Sequence, residues 1–339
     1  MAQSLSSNTL ILTHCPSIIS YASVVGKKEG QGPLKSYFDV INNDTSFGEK
    51  TWEKAESHMQ KDAVKKALQK ANLTTNDIDF MFAGDLLNQC IGSSFGLREI
   101  DIALFGLYGA CSTMAESLSL ASIFVETGVA NKTLCVTSSH FCSAERQFRY
   151  PLEYGGQRPP TAAWTVTGSG SLIIGNSSKP PYVKAVTIGK IKDLGITDIN
   201  NMGAAMAPAA AYTIKTHLKN TNTVPRDYDM IFTGDLGIIG SKLLFELLEK
   251  DNIDIKKNHC DCGKIIYDIK KQDAHSGGSG CGCAASVLCS FILKKLISGE
   301  FANILFVATG ALMSPTSICQ GESIPGIAHL VHIGNSKWK

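Results

Sequence analysis

The chain has 339 residues, 44% hydrophobic and 18% charged, which suits one large two-lobed domain or two smaller ones and excludes a disordered chain. A formal net charge of +2 without a dense Lys/Arg cluster gives no footing for nucleic-acid binding. Eleven cysteines, an odd number in so long a chain, exclude a disulfide scaffold and point to reduced thiols in a cytosolic compartment.

The first apolar run, residues 10–12, is too short for a signal peptide and has no basic prelude. No uninterrupted apolar stretch is long enough for a membrane-spanning helix, so a soluble protein is expected. Trp52–Ala71 is the first strong helix, with Ala55, Met59, Ala63, Ala67 and Ala71 at helical spacing. Residues 72–79 form a turn and 79–83 a short apolar strand. Gly109-Ala-Cys111-Ser-Thr opens a small-residue helix over 112–127, ended by Gly128, and 133–137 is the next strand. Residues 138–158 read as a polar, aromatic loop. Residues 162–175 read as two strands meeting at the corner Gly168-Ser-Gly170, and 176–181 as a hinge or crossover.

The pattern then repeats. Asp229-Met-Ile-Phe-Thr-Gly234-Asp235-Leu236 matches Asp79-Phe-Met-Phe-Ala-Gly84-Asp85-Leu86 at five of eight positions, 150 residues on. A helix over 205–218, a turn over 220–227 and a strand over 230–233 copy the first set. Residues 284–297 mirror the 112–127 helix, and 304–308 mirror the 133–137 strand. Apolar strands alternating with helices imply a mainly parallel sheet covered on both faces. The doubling predicts two halves, 1–175 and 176–339, packed around a shared helix layer. No Gly-x-Gly-x-x-Gly links a strand to a helix, which argues against a dinucleotide site.

Cys111 stands at a helix start, where unsatisfied N–H groups favour a thiolate, the attacking form; an inert core cysteine suits the same place. His275, in Asp273-Ala-His275-Ser-Gly-Gly-Ser-Gly280, comes from the equivalent position of the second half. A Cys/His pair between the halves is therefore expected, with a packing histidine as the plainer alternative. Thr309, Gly310 and Met313 follow the last central strand, where α/β folds often bind ligands, though an ordinary β-turn fits as well. In 138–158, Arg146, Arg149 and Arg158 offer bidentate recognition of carboxylates. Phe148, Tyr150 and Tyr154 offer faces for a flat ring, with Gln157 beside them. A small aromatic acid suits this loop; a solvent-exposed or interfacial loop is the alternative. Cys260-Asp-Cys262 and Cys281-Gly-Cys283 lack the usual zinc spacing and read as packing, so no metal or cofactor is expected.

With these residues placed, the chain resembles the thiolase and ketoacyl-synthase superfamily over nearly its full length. Gly109-Ala-Cys111-Ser-Thr is similar to that family's nucleophile turn. Ala274-His275-Ser-Gly-Gly278 resembles its Gly-His-Pro-x-Gly segment, with Ala274 and Ser276 replacing the first glycine and the proline. Thr167-Gly168-Ser-Gly170 lies where synthases carry a Gly-Asp-Gly-like corner. The resemblance implies an α/β fold of duplicated βαβαβαββ halves in five layers, α-β-α-β-α, a twofold homodimer, and Cys111 with His275 as catalytic or vestigial residues.

Narrower runs over 159–170, 201–210, 273–283, 308–316 and 320–329 resemble a sporulation-specific branch of the superfamily. Its members are soluble proteins of spore-forming bacteria that bind dipicolinic acid beside membrane proteins of the same operon. That resemblance implies dipicolinic acid as ligand, calcium as its counter-ion, those membrane proteins as partners, and a place in the forespore or at the spore inner membrane. The chain departs from condensing enzymes. Gly310-Ala-Leu-Met-Ser-Pro stands near the thiolase Cys-x-Gly-Gly-Gly position, and Cys319 falls later. No Asn-Glu-x-Phe precedes His275. Turnover would lack part of its acid–base or oxyanion apparatus. The expected function is non-catalytic dipicolinic acid binding. The alternative is a coenzyme A- or carrier-protein-dependent acyltransferase or condensing enzyme that loads Cys111; a purely structural adaptor is a third.

Overall fold

The computed structural model describes residues 3–4, 8–148 and 158–338. The first half runs β1 (Ser17–Val25), α1 (Trp52–Ala71), β2 (Phe80–Gly84), α2 (Ile91–Leu97), β3 (Leu104–Leu107), α3 (Thr113–Glu126), β4 (Lys132–Ser139), α4 (Phe141–Phe148) and β5 (Gly168–Gly175). The second runs β6 (Tyr182–Thr187), α5 (Met202–Thr221), β7 (Met230–Thr233), α6 (Gly237–Glu249), β8 (His259–Asp261), α7 (Cys281–Val287), β9 (Asn303–Ala311) and β10 (Gly326–Gly334).

The two sheets share one plan. Their strand orders are β3-β2-β4-β5-β1 and β8-β7-β9-β10-β6. In each, the first three strands are parallel and the last two join antiparallel. One antiparallel pairing, Tyr182 with Ser17, links the sheets.

Alternation along the strands builds the layers, because successive side chains point to opposite faces. Met81 and Ala83 face α1 on one outer side, among Met59, Ala63 and Ala67. Ile231, Leu305 and Val307 face α5 and α6 on the other, among Met206, Ile214 and Leu244. Phe82 and Phe232, the intervening residues, point inward to a central layer of α3 and α7 with Met114, Leu118, Val287 and Leu288. Both faces of each sheet are thus buried, which is why the central strands read as continuous apolar runs.

The repeated polar residues do repeated work. Asn72 and Asn222 each end a helix in the left-handed region at φ 53°. Asp79 accepts the Asn131 and Lys132 N–H groups at 2.7 and 3.0 Å, and Asp229 accepts those of Ala302 and Asn303 at 2.6 and 2.9 Å.

Several segments differ from the sequence reading, which assigns nothing to α2, β3 and β8 and expects mainly parallel sheets where antiparallel pairings are as many as parallel ones. The expected loop over 138–158 contains the end of β4 and then helix α4. Helix α6 lies where no element was expected. The helix predicted over 284–297 starts earlier, at Cys281, and passes through a π-helical stretch, Leu288–Ile292, before Leu293–Ile297. It lies so close to β5 that a Cβ on Gly170 would sit 2.4 Å from the Ala285 carbonyl oxygen.

Candidate functional site

Strand ends from both halves converge on Cys111. The residue before it, Ala110, is held at φ 49°, an uncommon conformation for a side-chain-bearing residue. Ser112 Oγ donates to Gly109 O and Thr113 Oγ1 to Ala110 O, both at 2.6 Å, so the short turn Ala110–Ser112 closes on itself before α3 begins. From the other half, β9 lies against this turn. A Cβ on Gly310 would meet Gly109 O at 2.4 Å and Cys111 N at 3.3 Å.

Cys111 is 5% exposed. Its thiol opens on a narrow slot with room for solvent of about 40 Å³. Leu86, Tyr108, Ala144, Phe148, Met202, Ala311 and Met313 give it mostly apolar walls; Glu145, Thr165 and Ser279 are the polar ones.

Behind the thiol runs a buried polar chain. Cys111 Sγ is 3.9 Å from Ser279 Oγ. Ser279 Oγ donates to Asp235 Oδ2 at 2.8 Å, Gly280 N–H to the same oxygen at 3.0 Å, and Thr309 Oγ1 to Asp235 Oδ1 at 2.8 Å. Burial pushes the Cys111 thiol well above its ordinary range, and the Asp235 carboxylate pushes it further. Asp235 is itself raised by burial, against the pull of the groups that donate to it. The thiolate expected at the start of α3 is therefore disfavoured: desolvation and a neighbouring carboxylate outweigh the helix terminus.

His275 is not in the slot wall. Its backbone is at φ 51°, and its Nε2 stands 3.5 Å from Oδ1 of the exposed Asp273. The chain then turns through Gly277, and Gly278–Ser279 pairs with Trp164–Thr165, which brings Ser279 rather than the imidazole to Cys111.

Phe148 and Met313 line the slot, Thr309 holds Asp235, and Gly310 lies against the cysteine turn. Arg158 reaches the wall indirectly. It pairs with Glu145 at 3.0 Å, donates to Ala163 O at 2.7 Å and lies 4.6 Å from the Trp164 ring centre. Thr165 Oγ1 donates to Glu145 at 3.0 Å. Arg146 turns away to pair with Glu53 of α1. Arg149, Tyr150, Tyr154 and Gln157 lie outside the described residues.

Sequence reasoning missed Asp235, Ser279 and Glu145. The first was visible as a repeated residue, but its partner Asp85 serves only its own loop, accepting Leu87 N–H at 2.8 Å and Ser93 N–H at 2.7 Å. All eleven cysteines are free thiols. Among the described residues, no three His, Cys, Asp or Glu side chains group as a metal would require, and no helix is long and apolar enough to cross a membrane.

A family model described as Stage V sporulation protein AD matches residues 6–334. Stage V sporulation protein AD of Bacillus subtilis (strain 168) is 47% identical over 321 residues, which is 95% of each chain. Among solved structures, acetamide-bound OleA from Xanthomonas campestris is similar with a TM-score of 0.60 at 14% identity, over 98% of this chain and 100% of that one. The 3-oxoacyl-[acyl-carrier-protein] synthase III of Aquifex aeolicus VF5 gives 0.56 at 13% identity, over 94% of this chain and 99% of that one. At such identity the likeness shows the fold, a mixed α/β thiolase-like one.

Proposed function

The chain belongs to the stage V sporulation protein AD family, and from that premise we propose that it binds dipicolinic acid in the slot beside Cys111 and supports uptake of the acid, with calcium, into the developing spore. The observation that carries this reading is the state of the thiol. Burial and Asp235 hold it protonated, and no imidazole, Lys or Arg is found among the described residues of the slot wall. A nucleophile needs the opposite arrangement.

The walls suit a flat ring once the Phe148 and Met313 side chains move apart to admit it. Phe148 offers an aromatic face, and Met202 and Met313 are adaptable apolar surfaces. Arg158 supplies counter-charge by turning from Glu145 toward a ligand carboxylate, while Arg146 and Arg149 draw in the dianion at longer range. Calcium accompanies the acid as its counter-ion and offsets the Glu145 charge. Further partners in this proposal are the membrane proteins of the same operon and a second copy of the chain. The edge strand β3, with Leu104 at 42% and Phe105 at 43% exposure, supports the twofold dimer.

The competing reading, acyl transfer from coenzyme A or a carrier protein, draws on the synthase-like fold and the strained turn at Ala110. Mass spectrometry after incubation with acyl-coenzyme A separates the two. We expect no adduct at Cys111, and dipicolinic acid affinity within about threefold of the parent for Cys111→Ser. Rapid stoichiometric acylation of Cys111 would establish the enzyme instead.

A further inference from the structure

A second cleft opens at the other end of the second sheet. Asn303, the first residue of β9, lines it, whereas Thr309 and Gly310 of the same strand serve the Cys111 site. At about 3.3 Å per residue the two sites are roughly 20 Å apart along the strand. The open cleft offers about 250 Å³ between Ile11, Lys184, Tyr228, Asn303, His332 and Trp338.

Lys184 is its unusual residue. It is only 8% exposed, yet no carboxylate among the described residues pairs with its ammonium group. Asp227, the acid in the cleft wall, turns Oδ2 to the Val224 N–H at 2.8 Å instead. The ammonium lies over the Trp338 ring, 4.3 Å from Nζ to the centre. Trp338 is fixed there: its indole N–H donates to Lys184 O at 3.2 Å, and its ring meets His332 edge-on at 5.6 Å. Lys337 adds positive charge at the same edge, 5.1 Å from the Tyr182 ring centre. The stem is buried and the ammonium half-buried at the cleft, and this burial pulls the Lys184 pKa down. A half-buried charge without a carboxylate beside it favours an anion that replaces the water it has lost.

We propose that this cleft is a second binding site, for a small carboxylate whose anionic group pairs with Lys184 and whose apolar body lies against Trp338 and Ile11. The site is independent of the slot and of any ligand held there.

Benzoate is the probe, titrated calorimetrically into the full chain, with benzyl alcohol as its neutral counterpart. Benzoate should bind saturably at one site, at least tenfold more tightly than benzyl alcohol. Lys184→Met, which keeps the apolar stem, should weaken it at least tenfold, and Lys184→Arg should restore most of the loss. Met313→Trp, which fills the distant slot, should leave that site intact. Absence of saturable binding, equal affinity for benzyl alcohol, unchanged affinity in a folded Lys184→Met, or loss in Met313→Trp would each overturn the proposal. The comparison of the two probes decides the matter even where a Lys184 variant does not fold.

Discussion

A carboxylate in contact with a buried thiol works against ionisation twice, through its own charge and through the water both groups have lost. In this chain the pair is Asp235 and Cys111, and the carboxylate is tied down by Ser279, Gly280 and Thr309. Asp235→Asn removes the charge while keeping an acceptor oxygen. The thiol pKa should fall, and alkylation of Cys111 by iodoacetamide at pH 8 should quicken at least tenfold, read by peptide mass spectrometry against the exposed Cys319. An unchanged rate would show that burial alone keeps the thiol neutral. Cys111 was recognisable from its small neighbours and its place before a helix. The role of Asp235 was not, because the repeat that exposes it also marks Asp85, and only the fold distinguishes a loop-holding carboxylate from one that crosses to Ser279.

At the scale of elements, α4 is the piece that was hidden. The arginines and aromatics of 138–158 suggest a loop, yet Phe141, Ala144, Glu145 and Phe148 stand at helical spacing, and three of them line the slot. The helix is anchored through Ser143, whose hydroxyl donates to Glu56 Oε2 at 2.6 Å, while Ser138 of β4 donates to Oε1 at 3.1 Å. Burial, with Asp85 beside it, pushes Glu56 up from 4.5 to about 8. The folded state therefore binds a proton that the unfolded chain releases near pH 4.5. The stability tied to that proton is full below pH 4.5 and is lost as pH rises through about 8. Urea denaturation across pH 5 to 8 should show stability falling by about 1 kcal/mol or more, and Glu56→Gln should flatten that slope. A slope unchanged in the variant would assign the dependence to another group.

The whole molecule was the most legible scale, because duplication shows in sequence as matched offsets. Asp79 and Asp229, Asn72 and Asn222, and the strands beside them recur at one spacing, and the two sheets copy each other in order and direction. Close approaches were illegible, since they depend on what another half of the chain puts opposite a glycine. Gly310 is the clearest case. Gly310→Ala drives a methyl group into the Gly109 carbonyl, so the halves must separate locally or the cysteine turn must shift. We expect a loss of about 1–3 kcal/mol, the usual cost of overpacking, measured by denaturant unfolding. A neutral substitution would mean that the seam is looser than the packing indicates. We also propose that 1–175 and 176–339 fold as one cooperative unit, because α3 and α7 share a single central core.

The slot beside Cys111 is where we propose that dipicolinic acid binds. The measurement is calorimetric titration of Lys184→Met, which silences the second cleft, with the acid, with and without calcium, against phthalate and picolinic acid, and with Met313→Trp added as the filled-slot control. Saturable binding of dipicolinic acid is expected, at least tenfold tighter than either control compound and lost when Met313→Trp is added. Equal affinity for all three acids, or dipicolinic acid binding that survives the filled slot with Lys184 replaced, would place the acid elsewhere.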